Sequence, residues 1–489
     1  MESDTPTDLA AGAATAASPA GSGAAHPAAE ADGAVMTALE AARAAGGRLL
    51  GGDPRAVLAR FSTDTRTLRP GDFFIALRGP HYDAHAFVAE ALRGGAAGAM
   101  VARAPDGAPR GALLVLVEDT LRGLGELARA WRERHGGRVV AVTGSNGKTT
   151  TKEMLRAVLG GAAPVHAARG NLNNLVGVPH TLLEWPAGVR LAVLELGMSA
   201  PGEIHRLCEI AQPEVGVFTT VSEAHLETLG SVDGVARAKA EMLPFLHGDR
   251  LAVINLDDPY VERFRTRAPG PTITYGLTPR AEVWASDLAV DGPGGTRFTL
   301  RHRREAVPAW IPAPGRHNVS NALAAAAVGF AAGLPGEAIA AGLATARLAP
   351  MRMEPVRLAS GARALNDAYN ANPASMERAL ETFCAVRNGG RAILVLGDML
   401  ELGRHSAEAH RRVGAAAARS APDLLIAVGP ESRALAEGAV AAGLAAERVR
   451  HCADAAAARE LLRAALTPDA WILVKGSRGM RLERVLDDL

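Results

Sequence analysis

An α/β fold in three domains is what the sequence predicts, and three features carry the prediction. At 489 residues the chain exceeds what one hydrophobic core ordinarily organises, and domains of about 150 residues give three. Short apolar runs recur with helix-length stretches between them, as parallel βαβ units require. One of these runs, Val139-Val140-Ala141-Val142, passes directly into the turn Thr143-Gly144-Ser145-Asn146-Gly147-Lys148-Thr149-Thr150 and then into a helical pattern. The centre of the chain is therefore expected to be a P-loop-type parallel sheet, and the last part a Rossmann-like one.

Taken in order, residues 1–34 are rich in Ala, Gly, Pro, Ser and Thr, and no Lys or Arg precedes Arg43. That composition predicts a disordered tail and excludes an ordinary signal peptide, whose start is basic and whose middle is a solid apolar run. Residues 35–135 alternate strand-like runs, such as Asp72-Phe73-Phe74-Ile75-Ala76-Leu77 and Ala112-Leu113-Leu114-Val115-Leu116-Val117, with Ala-rich helical runs, the pattern of a small α/β domain. Residues 136–348 carry apolar runs at 139–142, 191–196, 215–221 and 251–254. Residues 349–489 repeat the theme at 392–396, 424–428 and 471–474, and Ala349-Pro350 marks the junction.

Composition narrows the function classes. With 53 basic against 52 acidic residues, the chain does not grip nucleic acid by bulk charge, so small-molecule partners are expected. The longest Ala-rich stretch, 322–334, lies between Asn321 and Pro335 and falls short of the roughly 20 residues a bilayer span needs. A soluble, cytoplasmic protein without a membrane span follows as the expectation; a monomer is expected too, with oligomeric state left open by the sequence. Cys208, Cys384 and Cys452 are widely spaced and odd in number; they predict neither disulfide nor zinc site, and are expected to be inert.

The glycine-rich turn is the strongest local signal. It is a shortened form of the G-x-x-x-x-G-K-[ST] loop, since Val142 stands at the first glycine position and the pattern becomes Gly144-x-x-Gly147-Lys148-Thr149. Glycines let backbone amides face phosphates, the following helix points its positive end at them, Lys148 neutralises charge and Thr149 offers a hydroxyl to magnesium. Only four of the basic residues are lysines, Lys148, Lys152, Lys239 and Lys475. An amine can be deprotonated or modified where a guanidinium cannot, so each is a candidate for chemistry closed to Arg. Spacing alone makes Lys152, one turn beyond Lys148, an exposed helix lysine.

The loop resembles the signature of the Mur ligases, ATP-dependent amide-forming enzymes of peptidoglycan synthesis. Gly170-Asn171-Leu172-Asn173-Asn174-Leu175-Val176-Gly177-Val178-Pro179, Asp367-Ala368-Tyr369-Asn370-Ala371-Asn372-Pro373 and Leu396-Gly397-Asp398-Met399-Leu400-Glu401-Leu402-Gly403 resemble the form found in members that join D-alanyl-D-alanine to a UDP-N-acetylmuramoyl-tripeptide. Ser62-Thr63-Asp64-Thr65-Arg66 and Gly71-Asp72-Phe73-Phe74 extend the likeness to the amino-terminal part. The pattern is departed from at Ala84, where glycine is common, and at Asn366, where a second acid is common. Alternatives are another amide ligase of the superfamily, adding the third stem residue or glutamate to folate, or a noncatalytic nucleotide-binding partner. The Asp-Asn-Pro-Arg motif of many third-residue ligases is absent.

The resemblance implies a cofactor and residue set. Gly144, Ser145, Asn146, Gly147, Lys148, Thr149 and Thr150 would bind ATP, joined by His317, Asn318, Arg352 and Asp367, the last on the ribose. Thr149, Glu195, His225 and Lys239 would hold Mg2+, at two sites. Taken alone, Glu195 at a strand end is as readily a helix cap, while His225 reads as a solvated loop histidine, Lys239 as a helix-surface lysine and His317-Asn318 as a helix cap. The family lysine matching Lys239 is carbamylated by carbon dioxide, turning an amine of pKa about 10.4 into an anion. Lys148, Lys239, His225 and Arg352 would be catalytic, and Ser62, Thr65, Arg66, Asn171 and Asn174 would contact the UDP-sugar-peptide. By resemblance the three parts bind UDP-sugar-peptide, ATP and dipeptide respectively. Lys475 ends a strand facing the cleft between domains and has no assigned role.

Overall fold

A computed structural model describes residues 35–79, 82–168 and 170–489; the tail expected at residues 1–34 lies outside them. Beside a two-stranded antiparallel ribbon of Met36–Thr37 and Val57–Leu58, three larger sheets follow one another along the chain. The first runs Arg48–Leu50, Leu114–Leu116, Gly98–Val101, Phe73–Ile75, Phe61–Ser62, antiparallel only at the Arg48–Leu50 edge. The third runs Glu354–Arg357, Arg363–Asn366, Trp471–Lys475, Ala392–Gly397, Leu424–Val428, Val449–Cys452, again with one antiparallel edge. Among the described residues no helix is long and apolar enough to cross a membrane.

The second sheet has nine strands and positions the site. Its order is Glu305–Ile311, Thr296–His302, Val283–Val290, Thr272–Gly276, Leu251–Asn255, Val215–Phe218, Arg138–Thr143, Leu191–Glu195, Val165–Ala167. The strands from Thr272–Gly276 to Val165–Ala167 are parallel, and their β-branched runs are buried on both faces, as covered parallel strands demand. Val140, Val142 and Val193 face helices Lys148–Gly160, Arg316–Ala331 and Gly336–Ala344. Val139, Ala141, Ala192 and Leu194 face helices Thr120–His135, Gly177–Leu183 and Glu203–Ala211. Helix Arg316–Ala331 is apolar almost all round, and its alanines let neighbours approach: a Cβ on Gly329 would lie 2.9 Å from Ile339.

The antiparallel extension over residues 283–311 was not among the expected strands. Thr296, Phe298 and Leu300 are buried while Arg297 and Thr299 point outward, so the sequence alternates instead of showing a solid apolar run.

Strand order reverses around Arg138–Thr143. The chain leaves it for the edge at Val165–Ala167, returns beside it as Leu191–Glu195, then crosses to its other flank as Val215–Phe218. A crevice opens at the carboxyl ends of strands at such a reversal. Register does the rest: Glu195 pairs with Val142 and Phe218 with Thr143, so whatever follows these strands stands beside the Gly-rich turn.

Candidate active site

The turn is stitched down on one side. Ser145 N donates to Thr220 O at 2.6 Å, Asn146 N to Thr220 Oγ1 at 3.2 Å, and Thr219 Oγ1 to Asn146 O at 2.6 Å. Gly147 has φ +83, and a Cβ there would meet Asn321 Oδ1 at 2.2 Å, so this cap of helix Lys148–Gly160 must be glycine. The first helical amide bond is Thr151 N to Gly147 O, which leaves the amides of residues 148–150 as the free positive end of the helix.

That end opens into a cleft of about 620 Å³, where side chains from separate sheets converge. Thr149 Oγ1 donates to Glu195 Oε2 at 2.7 Å, and Asn173 Nδ2 holds Glu195 Oε1 at 2.8 Å. Arg352, from beyond the junction, donates to Thr149 Oγ1 at 2.8 Å, and its guanidinium carbon lies 4.0 Å from the Tyr369 ring centroid, a cation–π contact. It is flanked by Met351 and Met353, both at positive φ, so the segment that presents it is held in an unusual conformation. Lys148 Nζ donates to Gly144 O at 2.8 Å; burial lowers its pKa, with Arg352 adding to the effect and Glu195 opposing it. His225 also lines the cleft, on the loop after Val215–Phe218.

Lys239 is only 4% exposed, on helix Val232–Ala240, and its Nζ has no hydrogen-bonding or ion-pair partner among the described residues. Burial, then the nearby charge of Lys148, push its pKa well below the usual lysine range, and Glu195 only partly offsets them. This is a buried amine poised to be neutral, not the surface lysine that helix spacing suggests.

Lys152 corrects an expectation. It is fully buried, not exposed: Nζ donates to Ala168 O at 2.7 Å and Gly170 O at 2.9 Å and lies 3.0 Å from Glu153 Oε1. The carbonyls of Ala168 and Gly170 close over this face of the helix, and the ammonium ties down the start of the segment carrying Asn171, Asn173 and Asn174. Replacing it leaves two carbonyls without their donor and Glu153 with Arg156 as its remaining cation, so Lys152→Ala is expected to lower unfolding free energy by roughly 3 kcal/mol. Urea denaturation monitored by circular dichroism checks this, and a loss below about 1 kcal/mol contradicts it.

Around the far end of the cleft, Asp367 and Lys475 form a buried pair, 2.5 Å apart, and Lys475 Nζ also donates to Asn370 O at 2.9 Å. Lys475 thus anchors the loop between Arg363–Asn366 and helix Pro373–Val386. Asp367 Oδ1 accepts Met353 N at 3.0 Å. His317 and Asn318 do not cap the helix, the reading their place alone suggests: Gly315 caps helix Arg316–Ala331 with no side-chain bond, and Asn318 Nδ2 turns back to Pro314 O at 2.8 Å.

Burial pushes the His317 pKa down to about 4, with Asp367 opposing and Arg378 and Lys475 reinforcing. Its folded value lies below the unfolded one near 6.5, so the unfolded chain takes up the proton first. Stability from this group is whole above pH 6.5 and lost as pH falls towards 4, by roughly 3 kcal/mol. His317→Gln should flatten the fall in unfolding free energy between pH 6.5 and 4.5; an unchanged slope contradicts it.

The remaining expected residues divide. Asn171 and Asn174 line the cleft, although Asn174 Oδ1 also accepts the amides of Val176 and Gly177. Ser62, Thr65 and Arg66 sit in the first sheet unit and do not line it; Ser62 Oγ bonds Asp64, and Arg66 forks onto the Asp64 carboxylate. Sequence reasoning passed over Asn173, inside a stretch it had singled out, and the pair Asn146–Asn372, whose Nδ2 to Oδ1 contact of 2.8 Å joins the Gly-rich turn to helix Pro373–Val386. Burial raises the thiol pKa of all three cysteines, Cys452 to about 11, which suits inert residues.

Comparison with known proteins gives the same picture. A family model described as Mur ligase middle domain matches residues 142–329, and one described as Mur ligase, glutamate ligase domain matches residues 351–478. The chain is 38% identical over 433 residues to the UDP-N-acetylmuramoyl-tripeptide--D-alanyl-D-alanine ligase of Bacillus subtilis, covering 88% of this chain and 93% of that one. It is similar to a crystal structure of MurF from Acinetobacter baumannii, at 33% identity and TM-score 0.85, covering 93% of this chain and 99% of the other. The MurF ligase of Thermotoga maritima in complex with ADP superposes with TM-score 0.77 at 28% identity, covering 88% and 96%.

Proposed function

We propose a reaction course for a chain that belongs to the Mur ligase family, among the ligases that add D-alanyl-D-alanine to UDP-N-acetylmuramoyl-tripeptide. It is an ATP-dependent amide-forming enzyme of peptidoglycan precursor synthesis. The observation that carries the residue assignments is the convergence of Lys148, Thr149, Glu195, Lys239 and Arg352 on one cleft.

A carboxylate oxygen is too poor a leaving group to be displaced by an amine. The terminal carboxylate of the tripeptide therefore attacks the γ-phosphorus of ATP, the bond to the bridging oxygen breaks, and ADP departs. Lys148, the free amides of residues 148–150 and Arg352 stabilise the charge that spreads over the transferring phosphoryl group. The amine of D-alanyl-D-alanine then attacks the acyl phosphate carbon; the tetrahedral intermediate expels phosphate and leaves the new amide, with loss of the amine proton. His317, Asn318 and Asp367 are placed at the nucleoside end, and Ser62, Thr65, Arg66, Asn171 and Asn174 on the UDP-sugar-peptide. Residues 35–135, 136–348 and 349–489 are read as the UDP-sugar, ATP and dipeptide domains.

The donor set fits Mg2+. Among the described residues no cluster of three or more His, Cys, Asp or Glu forms a cage, and magnesium favours one or two carboxylates together with substrate phosphates. Thr149, Glu195 and His225 would hold it, with Lys239 as a carbamate completing a second position. When bound, the cation neutralises phosphate charge and aligns the phosphoryl oxygens. Lys239 supports that assignment because it is buried, neutral-leaning and without a partner.

We read it as a monomer, since the proposed substrate groups meet within one chain, and as a cytoplasmic enzyme, since its proposed substrates are nucleotides. Purified protein with ATP, Mg2+, UDP-N-acetylmuramoyl-tripeptide and D-alanyl-D-alanine should yield the pentapeptide by mass spectrometry, and none without the dipeptide. Ligation of free amino acids or folates instead would transfer the reading to another superfamily member.

A further inference from the structure

His225 is held from the carboxy-terminal part of the chain. Its Nδ1 stands 2.5 Å from Glu401 Oε2, at ion-pair distance though without hydrogen-bond alignment. Glu401 lies in the loop after strand Ala392–Gly397, which belongs to the third sheet, while His225 follows a strand of the second. The two loops are joined twice more: Glu227 N donates to Glu401 O at 3.2 Å, and Arg412 of helix Ser406–Arg419 pairs with Glu223. Both residues sit in the left-handed region, His225 at φ +54 and Glu401 at φ +63, although neither is glycine. Such conformations persist only where surroundings impose them.

We propose that Glu401 is a positioning residue for His225, so that the candidate metal site is complete only when the third sheet is seated against the second. A histidine ligand commonly turns one ring nitrogen to a carboxylate, which fixes the tautomer and leaves the other nitrogen's lone pair for the metal. Here Nδ1 faces Glu401, and Nε2 has no protein partner among the described residues, in a ring that lines the cleft with Thr149, Glu195 and Lys239. The device would tie cation affinity to domain closure: a separated carboxy-terminal unit withdraws the carboxylate that orients the ligand. The inference rests on His225 being a metal ligand.

The test measures Mn2+ binding to the full chain by electron paramagnetic resonance, with a nonhydrolysable ATP analogue present. Glu401 is largely exposed, so Glu401→Ala is expected to fold, with an unchanged melting temperature as the check. It should weaken Mn2+ binding about tenfold, Glu401→Gln should weaken it less because an acceptor oxygen remains, and Glu401→Ala should add nothing in a His225→Ala background. An unchanged Mn2+ affinity in Glu401→Ala overturns the proposal, as does an equal further loss in the His225→Ala background. If His225→Ala itself leaves Mn2+ affinity unchanged, the metal assignment of His225 fails and this inference with it; loss in His225→Ala alone sinks only the role of Glu401.

Discussion

Lys239→Arg and Lys239→Ala are each expected to lower kcat about a thousandfold, with the wild-type enzyme losing activity when bicarbonate is stripped and recovering when it is returned. The reasoning starts from burial. Lys239 is 4% exposed, its pKa is driven well below the ordinary lysine value by desolvation and by Lys148, and it has no anionic partner at contact distance. An amine whose pKa is lowered in this way is a nucleophile for carbon dioxide: the N–C bond would form, a proton would depart, and an anionic carbamate would replace a would-be cation. The change exchanges a charge that Lys148 repels for one that it attracts. Losing a ligand of that kind forfeits roughly 4 kcal/mol of transition-state stabilisation, equivalent to the thousandfold drop. Arg cannot form the carbamate and adds a permanent positive charge beside Lys148. In Lys239→Ala a short carboxylate such as formate can enter the vacated space, so partial rescue by formate is expected, and none in Lys239→Arg. Carbon-13 NMR with labelled bicarbonate reads the adduct directly. Full activity of Lys239→Ala, or a wild-type spectrum without a carbamate signal and no bicarbonate dependence, ends the assignment.

Much of the site was legible because it is local. The run from Val139 to Thr150 contains strand, turn and helix start in a dozen residues, and Glu195 ends a neighbouring run whose register brings it beside Val142. What escaped sequence reasoning depends on residues distant in the chain. Helix spacing around Lys152 contains no sign of the Ala168 and Gly170 carbonyls that hold it. Nothing near His225 announces Glu401, and nothing near Asn146 announces Asn372. The missed antiparallel strands at 283–311 have a different cause. Solid apolar runs mark strands covered on both faces, whereas residues 296–302 are covered on one and alternate, a weaker signal in a chain where Ala and Arg are frequent. The alternative reading of His317-Asn318 as a cap is excluded because Gly315 holds the cap position and the Asn318 amide turns back to Pro314 O.

Lys148→Ala is expected to abolish the first half of the reaction and leave dipeptide recognition intact. Lys148 Nζ rests on Gly144 O, at the free end of helix Lys148–Gly160 and within the electrostatic reach of Glu195 and Arg352. Its contribution grows as negative charge develops on the phosphoryl oxygens, so its removal should cost kcat more than KM, by about a thousandfold, the size found for deleting one preorganised donor at such a centre. Lys148→Arg should rescue little: it keeps the charge, but its planar fork cannot stand in for a compact ammonium seated against the Gly144 carbonyl. The step can be isolated by mixing enzyme, ATP, Mg2+ and UDP-N-acetylmuramoyl-tripeptide without dipeptide, trapping acyl phosphate with hydroxylamine and counting hydroxamate against ADP. Wild type should give both products and Lys148→Ala neither, while calorimetric binding of D-alanyl-D-alanine stays unchanged. If Lys148→Ala forms hydroxamate within tenfold of the wild-type rate, phosphoryl transfer does not depend on this lysine, and the charge stabilisation must rest on Arg352 and the helix amides instead.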